Sequence, residues 1–179
     1  MIARNYPDDR SYVNFGITLA QAGQFGPAEQ YLRRTLALKP NKVQAHYFLC
    51  LVLYHKAEKL DKDPSHRSEQ VLGLYREAVK HAREAVRLKP DHGFGHVYLG
   101  LALQVLGEDQ NAIDSLRQGV RCRPELADPH LHLGKALTKI GKWKEARQEL
   151  TLAKELAAPS DPRPTEALKA LQRKEKSHP

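Results

Sequence analysis

Apolar residues in this chain recur every three or four positions, the spacing of a helix with one buried face, and the pattern restarts several times. Tyr12, Phe15, Leu19 and Ala22 mark one face before Gly23, and Ala28, Leu32 and Thr35 mark the next before Pro40. Shifted forward by 34 residues, Gly100, Leu103, Gly107, Ala112 and Leu116 land on Gly134, Leu137, Gly141, Ala146 and Leu150. Gly16, Leu19, Gly23, Ala28, Leu32 and Pro40 repeat the same spacings nearer the start. A period of this length, with small residues at helix ends and close helix contacts, predicts stacked helical hairpins.

The pattern divides the chain into a stub (1–8), four hairpins (9–42, 43–92, 93–126 and 127–160) and a capping helix with a basic tail (161–179). Pro7 and two aspartates in the stub resemble the closing proline of a further repeat. Asp8 or Asp9 is placed to cap the first helix, and Pro27 falls in the first turn of the second, where a missing N–H does no harm. The second hairpin is long. Pro40 and Pro90 are 50 residues apart, 16 more than one period. Its apolar ladder runs on through His46, Leu49, Leu53, Ala57 and Leu60, and resumes through Val71, Tyr75, Ala78, Ala82 and Ala85. Division of the insertion between both helices predicts about eight extra residues in each and a protrusion of roughly 12 Å. Asp63 and Ser68 are its candidate caps, and Leu60, Leu72 and the turn between them are a candidate contact. In the fourth hairpin Asp128 and Pro129 form the expected cap and first helical residue, and Trp143 packs at the start of the second helix. A last helix, about Pro164 to Lys174, turns Ala167, Leu168, Ala170 and Leu171 to one side and covers the end of the stack.

The 34-residue recurrence, with prolines at 40, 90 and 124, resembles the tetratricopeptide repeat family over about 150 residues. The resemblance implies an all-α, right-handed superhelical solenoid of antiparallel helix pairs that serves as a non-catalytic scaffold for protein–protein interaction. The chain departs from the family pattern at two packed positions. The early aromatic is Tyr12 in the first repeat but His46, His96 and His130 afterwards, and the later aromatic is Leu19, Leu53, Leu103 and Leu137.

In this family the first helix of each hairpin lines a concave face. The resemblance assigns to it Arg10, Val13, Asn14, Ile17 and Gln21, then Gln44, Tyr47, Phe48, Leu51, Tyr54 and His55. From the third and fourth hairpins it assigns Phe94, Val97, Tyr98, Leu101 and Gln104, then Asp128, Leu131, His132, Lys135, Thr138 and Lys139. The expected partner site comprises Asn14, Ile17, Tyr47, Phe48, Leu51, Tyr54, Phe94, Val97, Tyr98 and Leu101, with its centre where the second and third repeats join. His132, Lys135 and Lys139 give it a basic end that fits an acidic segment of a protein or peptide. The lysine-and-asparagine clamp with which some family members hold acidic chaperone tails is not expected, because Val13, Ile17, Phe48, Phe94 and Tyr98 fill its slots.

Composition narrows this picture without redirecting it. Hydrophobic residues make up 41% and charged residues 28%, the balance of a globular chain. No apolar run is long enough to span a bilayer, the N-terminus lacks the pattern of a secretory signal, and a cytoplasmic location is the default. Cys50 occupies the small-residue slot of Gly16, Gly100 and Gly134, while Cys122 lies between two arginines, and both read as free thiols. The net charge of +8 raises the alternative of nucleic-acid binding through Arg33, Arg34, Arg76, Lys80, Arg83, Arg87, Arg117 and Arg121 on second helices. A regulatory module of a larger enzyme is a further alternative. No cofactor motif, phosphate loop or catalytic constellation is present. His92 and His96, four apart, are the one spacing suited to a metal, and a third ligand is missing.

Overall fold

In the computed structural model of the chain, which describes residues 9–61 and 68–177, there are nine α-helices and no strand among the described residues. They are α1 (Asp9–Gln21), α2 (Phe25–Leu38), α3 (Val43–Leu60), α4 (Glu69–Leu88), α5 (Gly93–Val105), α6 (Asp109–Cys122), α7 (Ala127–Lys139), α8 (Trp143–Leu156) and α9 (Arg163–Ser177). Successive pairs form hairpins, and the chain divides into two compact units, Met1–Pro90 and Asp91–Pro179. The first unit holds hairpins 1 (α1/α2) and 2 (α3/α4). The second holds hairpins 3 (α5/α6) and 4 (α7/α8) together with α9. The stub at 1–8, the side chains of Asp8 and Asp9 and the Asp63 cap lie outside the described residues.

Three of the four hairpins turn in the same way. Gly23, Gly107 and Gly141 adopt φ of 71°, 81° and 76°, a left-handed conformation that a side chain would strain. The residue after each glycine donates its N–H back five residues: Gln24 to Leu19 O at 2.9 Å, and Glu108 to Leu103 O and Lys142 to Leu137 O at 3.0 Å. Hairpin 2 has Ala57 at this slot, so the stop is missing and α3 runs on to Leu60. Its helices have 18 and 20 residues, against 13 and 14 in each of the other hairpins. The extension is therefore roughly 8–9 Å per helix, shorter than the 12 Å expected, because the rest of the insertion falls in the connection after Leu60. Ser68 caps α4, its Oγ accepting from the Val71 N–H at 3.3 Å.

Within a hairpin the two helices approach closely at one paired position. A Cβ on Gly16 would lie 2.8 Å from Leu32 Cγ, and one on Gly100 or Gly134 would lie 2.6 Å from Leu116 or Leu150 Cγ. Hairpin 2 solves the same contact with Cys50 and Ala82, both fully buried. The larger residue on the first helix is matched by a smaller one on the second, so the volume between the helices is conserved.

Polar contacts set the register of neighbouring hairpins inside each unit. His46 Nε2 donates to Pro40 O at 2.7 Å, and His130 Nε2 to Pro124 O at 3.0 Å, so each imidazole reaches back to the proline that closes the preceding helix. This gives His46 and His130 a reason to stand at the early aromatic slot: they fill its volume and also supply a donor to a carbonyl just past the end of the preceding helix. Arg33 of α2 meets Glu77 of α4 at 2.7 Å, and Arg117 of α6 meets Glu145 of α8 at 2.6 Å, the same two slots in both units.

In the second unit Ile113, Leu116, Leu131, Leu133, Leu137 and Leu150 form a continuous core, which α9 extends with Ala167 and Leu171. Arg163 at the start of α9 lies 2.9 Å from Asp128, and Arg147 pairs with Glu175 near its end. Asp128 does not cap α7. The helix starts two residues earlier than expected, with Leu126 at the cap position and no side-chain cap bond.

Candidate functional site

In the first unit the first helices present a line of half-buried side chains: Ile17 from α1, then Tyr47, Phe48, Leu51, Tyr54 and His55 from α3, with Asn14 exposed beside them. The Tyr47 and Phe48 rings meet edge to face at 4.8 Å. Tyr54 lies against the core residue Tyr75 at 5.5 Å, while His55 stacks on Phe25 at 5.8 Å and bonds Glu58 at 3.0 Å. Tyr47, Phe48 and Leu51 are half-buried neighbours within one turn of α3. Arg10 lies outside the described side chains.

In the second unit Phe94 is 36% exposed, and Tyr98 and Leu101 are half-buried. Val97 is only 3% exposed and joins the core, so it is not a surface contact. Val13 and Leu131 share its slot and are likewise 4% and 1% exposed, and in hairpin 3 this position faces the second helix. In hairpin 3 that helix offers Gly119, whose missing side chain admits Val97. Tyr47, at the same slot of hairpin 2, stays partly accessible. Thr138 is buried and donates to Gly134 O at 2.8 Å.

The basic end is weaker than its composition. Burial first, then the neighbouring Lys135 charge, lowers the His132 pKa to about 4, so this imidazole is neutral at physiological pH. Lys139 bonds Asp109 at 2.5 Å. Lys135 remains exposed. The arginines of the second helices are similarly engaged. Arg33 is held between Glu29 at 2.8 Å and Glu77 at 2.7 Å, Arg87 meets Glu84 at 2.6 Å, and Arg76 pairs with Glu69. Hydrogen bonding to Arg33 keeps the Glu77 carboxyl below its ordinary pKa.

One cluster goes beyond the first-helix assignment. Tyr12, Phe15, Gln30, Tyr31 and Arg34 line an open cavity of about 410 Å3 on hairpin 1. The Tyr31 ring lies 6.1 Å from Tyr12 and 5.8 Å from Phe15, and the Arg34 guanidinium covers the Tyr12 ring at 5.0 Å. Phe15, expected among the packed positions of α1, is 55% exposed. The available signal was the substitution of Tyr31 at a slot that holds His81, Ser115 and Glu149 elsewhere.

Burial raises the Cys50 thiol to about 12, which removes it as a nucleophile, and neither Cys50 nor Cys122 forms a disulfide. His92 is the cap of α5, its Nδ1 accepting from the Gly95 N–H at 3.0 Å. Among the described residues no group of three His, Cys, Asp or Glu is arranged to hold a metal, and no helix is long and apolar enough to cross a membrane.

Two family models for the tetratricopeptide repeat match residues 10–39 and 67–127, together about half the chain. Over 88 residues the chain is 30% identical to the photosystem I assembly protein Ycf3 of Rippkaea orientalis (strain PCC 8801 / RF-1), an alignment covering 48% of this chain and 50% of that protein. The chain thus spans about half the length of this relative. Its fold is similar to that of TTC0263, a thermophilic tetratricopeptide repeat protein of Thermus thermophilus, with a TM-score of 0.75, 21% identity, and coverage of 94% of this chain and 84% of that one. A fragment of MamA from Desulfovibrio magneticus RS-1 gives a TM-score of 0.68 at 24% identity, covering 83% and 75%. YrrB, described as a tetratricopeptide repeat protein with an unusual peptide-binding site, gives 0.69 at 19% identity, covering 99% and 91%. The repeated hairpins, their glycine turns and these matches lead to one conclusion: the chain belongs to the tetratricopeptide repeat family.

Proposed function

We propose that this chain is a non-catalytic scaffold that holds a peptide or helix of a partner protein against the first helices of its hairpins. The observation that carries this reading is the set of half-buried aromatic and aliphatic side chains there. In the first unit these are Tyr47, Phe48 and Leu51, with Asn14, Ile17 and Tyr54 at their edges. In the second they are Phe94, Tyr98 and Leu101. The hairpin cores have Leu49, Leu53, Leu103 and Leu137, all at most 2% exposed, and the rings named here keep accessible surface beside them. Each ring that a partner covers contributes on the order of 1.5–3 kcal/mol, and a few such anchors are enough for an interface. The described peptide-binding site of YrrB and the assembly role in the name of the photosystem I protein point the same way.

Lys135, with Lys139 and His132 near it, makes the fourth hairpin the end that meets any acidic portion of the ligand. Because His132 is neutral and Lys139 is paired, that contribution is secondary. Engagement of Arg33, Arg76, Arg87 and Arg117 by carboxylates weighs against a nucleic-acid surface on the second helices.

The test is an affinity capture followed by mass spectrometry, repeated with Phe48→Ala and Tyr98→Ala separately and together. Each substitution should weaken capture of the same partner at least tenfold, about 1.4 kcal/mol, with unchanged circular dichroism and little dependence on salt. Capture indifferent to both changes would remove the first helices as the binding surface. A steep loss of affinity with salt would reopen the nucleic-acid reading.

A further inference from the structure

Phe15 and its equivalents differ in what lies over them. Leu49 in hairpin 2 and Leu133 in hairpin 4 occupy the Phe15 slot and are 0% and 2% exposed. There the preceding helix, α2 or α6, packs on the first helix of the hairpin. On hairpin 1 no described residue does this, and Phe15 is 55% exposed, with Tyr31 37% and Leu38 57% exposed on the adjoining helix. Glu29 and Arg33 of α2 reach hairpin 2, whereas Tyr31, Arg34 and Leu38 lie on a different stripe of the same helix.

The charge on this face is also unanswered. The Arg34 guanidinium lies over Tyr12, and among the described residues no carboxylate pairs with it. Elsewhere an arginine facing a neighbouring hairpin finds a glutamate, as Arg33 finds Glu77 and Arg117 finds Glu145. The occupant implied by this geometry is helical, as at the equivalent slots, apolar where it meets Phe15 and Tyr31, and acidic where it meets Arg34.

We propose that the open face of hairpin 1, built from Tyr12, Phe15, Tyr31 and Arg34, is a second docking site that takes an amphipathic, carboxylate-bearing helix of a partner protein. It is separate from the Tyr47–Phe48 surface and does not rest on it. The cavity of about 410 Å3 receives the apolar side chains of that helix, and Arg34, held against Tyr12, supplies the charge-assisted bond at the rim.

The test is a display selection on the full chain. A library of single helices randomised along one face is selected on the wild-type protein and counter-selected on Phe15→Glu. Enrichment of a Glu or Asp beside apolar positions supports the proposal if two conditions hold. The selected helices must bind Arg34→Gln at least tenfold more weakly, and they must bind the Phe48→Ala, Tyr98→Ala protein as well as wild type. Binders indifferent to both Phe15→Ala and Arg34→Gln, or no helix with a Kd below about 100 µM, overturn it. Two other occupants are read in parallel, with benzoylphenylalanine at position 15 as a photocrosslinker. Crosslinking to a second copy, in a dimer that Phe15→Glu returns to monomer by sedimentation, overturns the proposal in favour of self-association. Crosslinking within one monomer to residues 1–8 overturns it in favour of the chain covering its own face.

Discussion

The first and last hairpins of this chain treat exposed apolar surface in opposite ways. Hairpin 4 is covered by α9, which buries Leu171 completely and Ala167 to 8% exposure. Hairpin 1 leaves Phe15, Tyr31 and Leu38 open, although its own core residues Ala28 and Leu32 are as fully enclosed as Ala146 and Leu150. The difference lies in what packs on the hairpin rather than in how the hairpin is made. Each of these two hairpins closes around its glycine–leucine contact, and its outer faces are left to neighbours.

The largest effect should appear at the covered face. Leu171→Ala removes the anchor of α9 and should destabilise the second unit by about 2–5 kcal/mol, read as a lower urea midpoint. A loss below about 1 kcal/mol would mean that α9 is only loosely attached.

Next is the close contact that all hairpins share. Gly134→Cys places a side chain against Leu150 and should cost about 1–3 kcal/mol. Adding Leu150→Ala reproduces the Cys50–Ala82 arrangement of hairpin 2 and should recover part of that loss. Simple additivity in this double-mutant cycle would deny the coupling.

Smaller and distributed over both units is a pH effect. Burial first, then the His46 charge, lowers the His81 pKa from 6.5 to about 4, the same shift seen at His132 in the second unit. Below pH 6.5 the unfolded chain therefore takes up these protons first. Stability is complete above 6.5 and is lost as pH falls toward 4, by on the order of 1 kcal/mol per imidazole between about pH 7 and 5. His81→Asn with His132→Asn should flatten that slope in denaturant titrations, and an unchanged slope would assign it to other groups. The smallest effect is at the open face. Phe15→Ala should move stability by less than about 0.5 kcal/mol, so a cost comparable with Leu171→Ala would show that the ring is covered in solution.

The hairpins were legible because their requirements are local. Gly23, Gly107 and Gly141 stop helices by backbone conformation, Gly16, Gly100 and Gly134 admit a facing leucine, and both constraints recur at fixed spacing. The partition of the hairpin 2 insertion was less legible, since an apolar ladder records which face is buried but not where the last hydrogen bond closes. Val97 and Leu131 went to the wrong face because neighbouring first-helix positions differ by only one step in rotation. The size of the opposing residue, Gly119 in the case of Val97, helps decide what is buried. Phe15 was expected to pack because its exposure depends on a neighbour, which the periodicity of α1 does not encode. The weak basic end had the same origin: Lys139 and Asp109 are 30 residues apart, and their pairing belongs to the packed hairpins.

The matched pair of Cys50 and Ala82 sets a rule for how such a chain can be rearranged. A break between hairpins leaves each helix with the partner shaped to it, whereas a break inside a turn can join the first helix of one hairpin to the second of another. Joining α3 to α6 would force Cys50 against Leu116, and joining α5 to α4 would leave Gly100 facing Ala82 across a void. The heritable cassette is therefore the whole helix pair, and shuffling in half-steps would be selected against in this array.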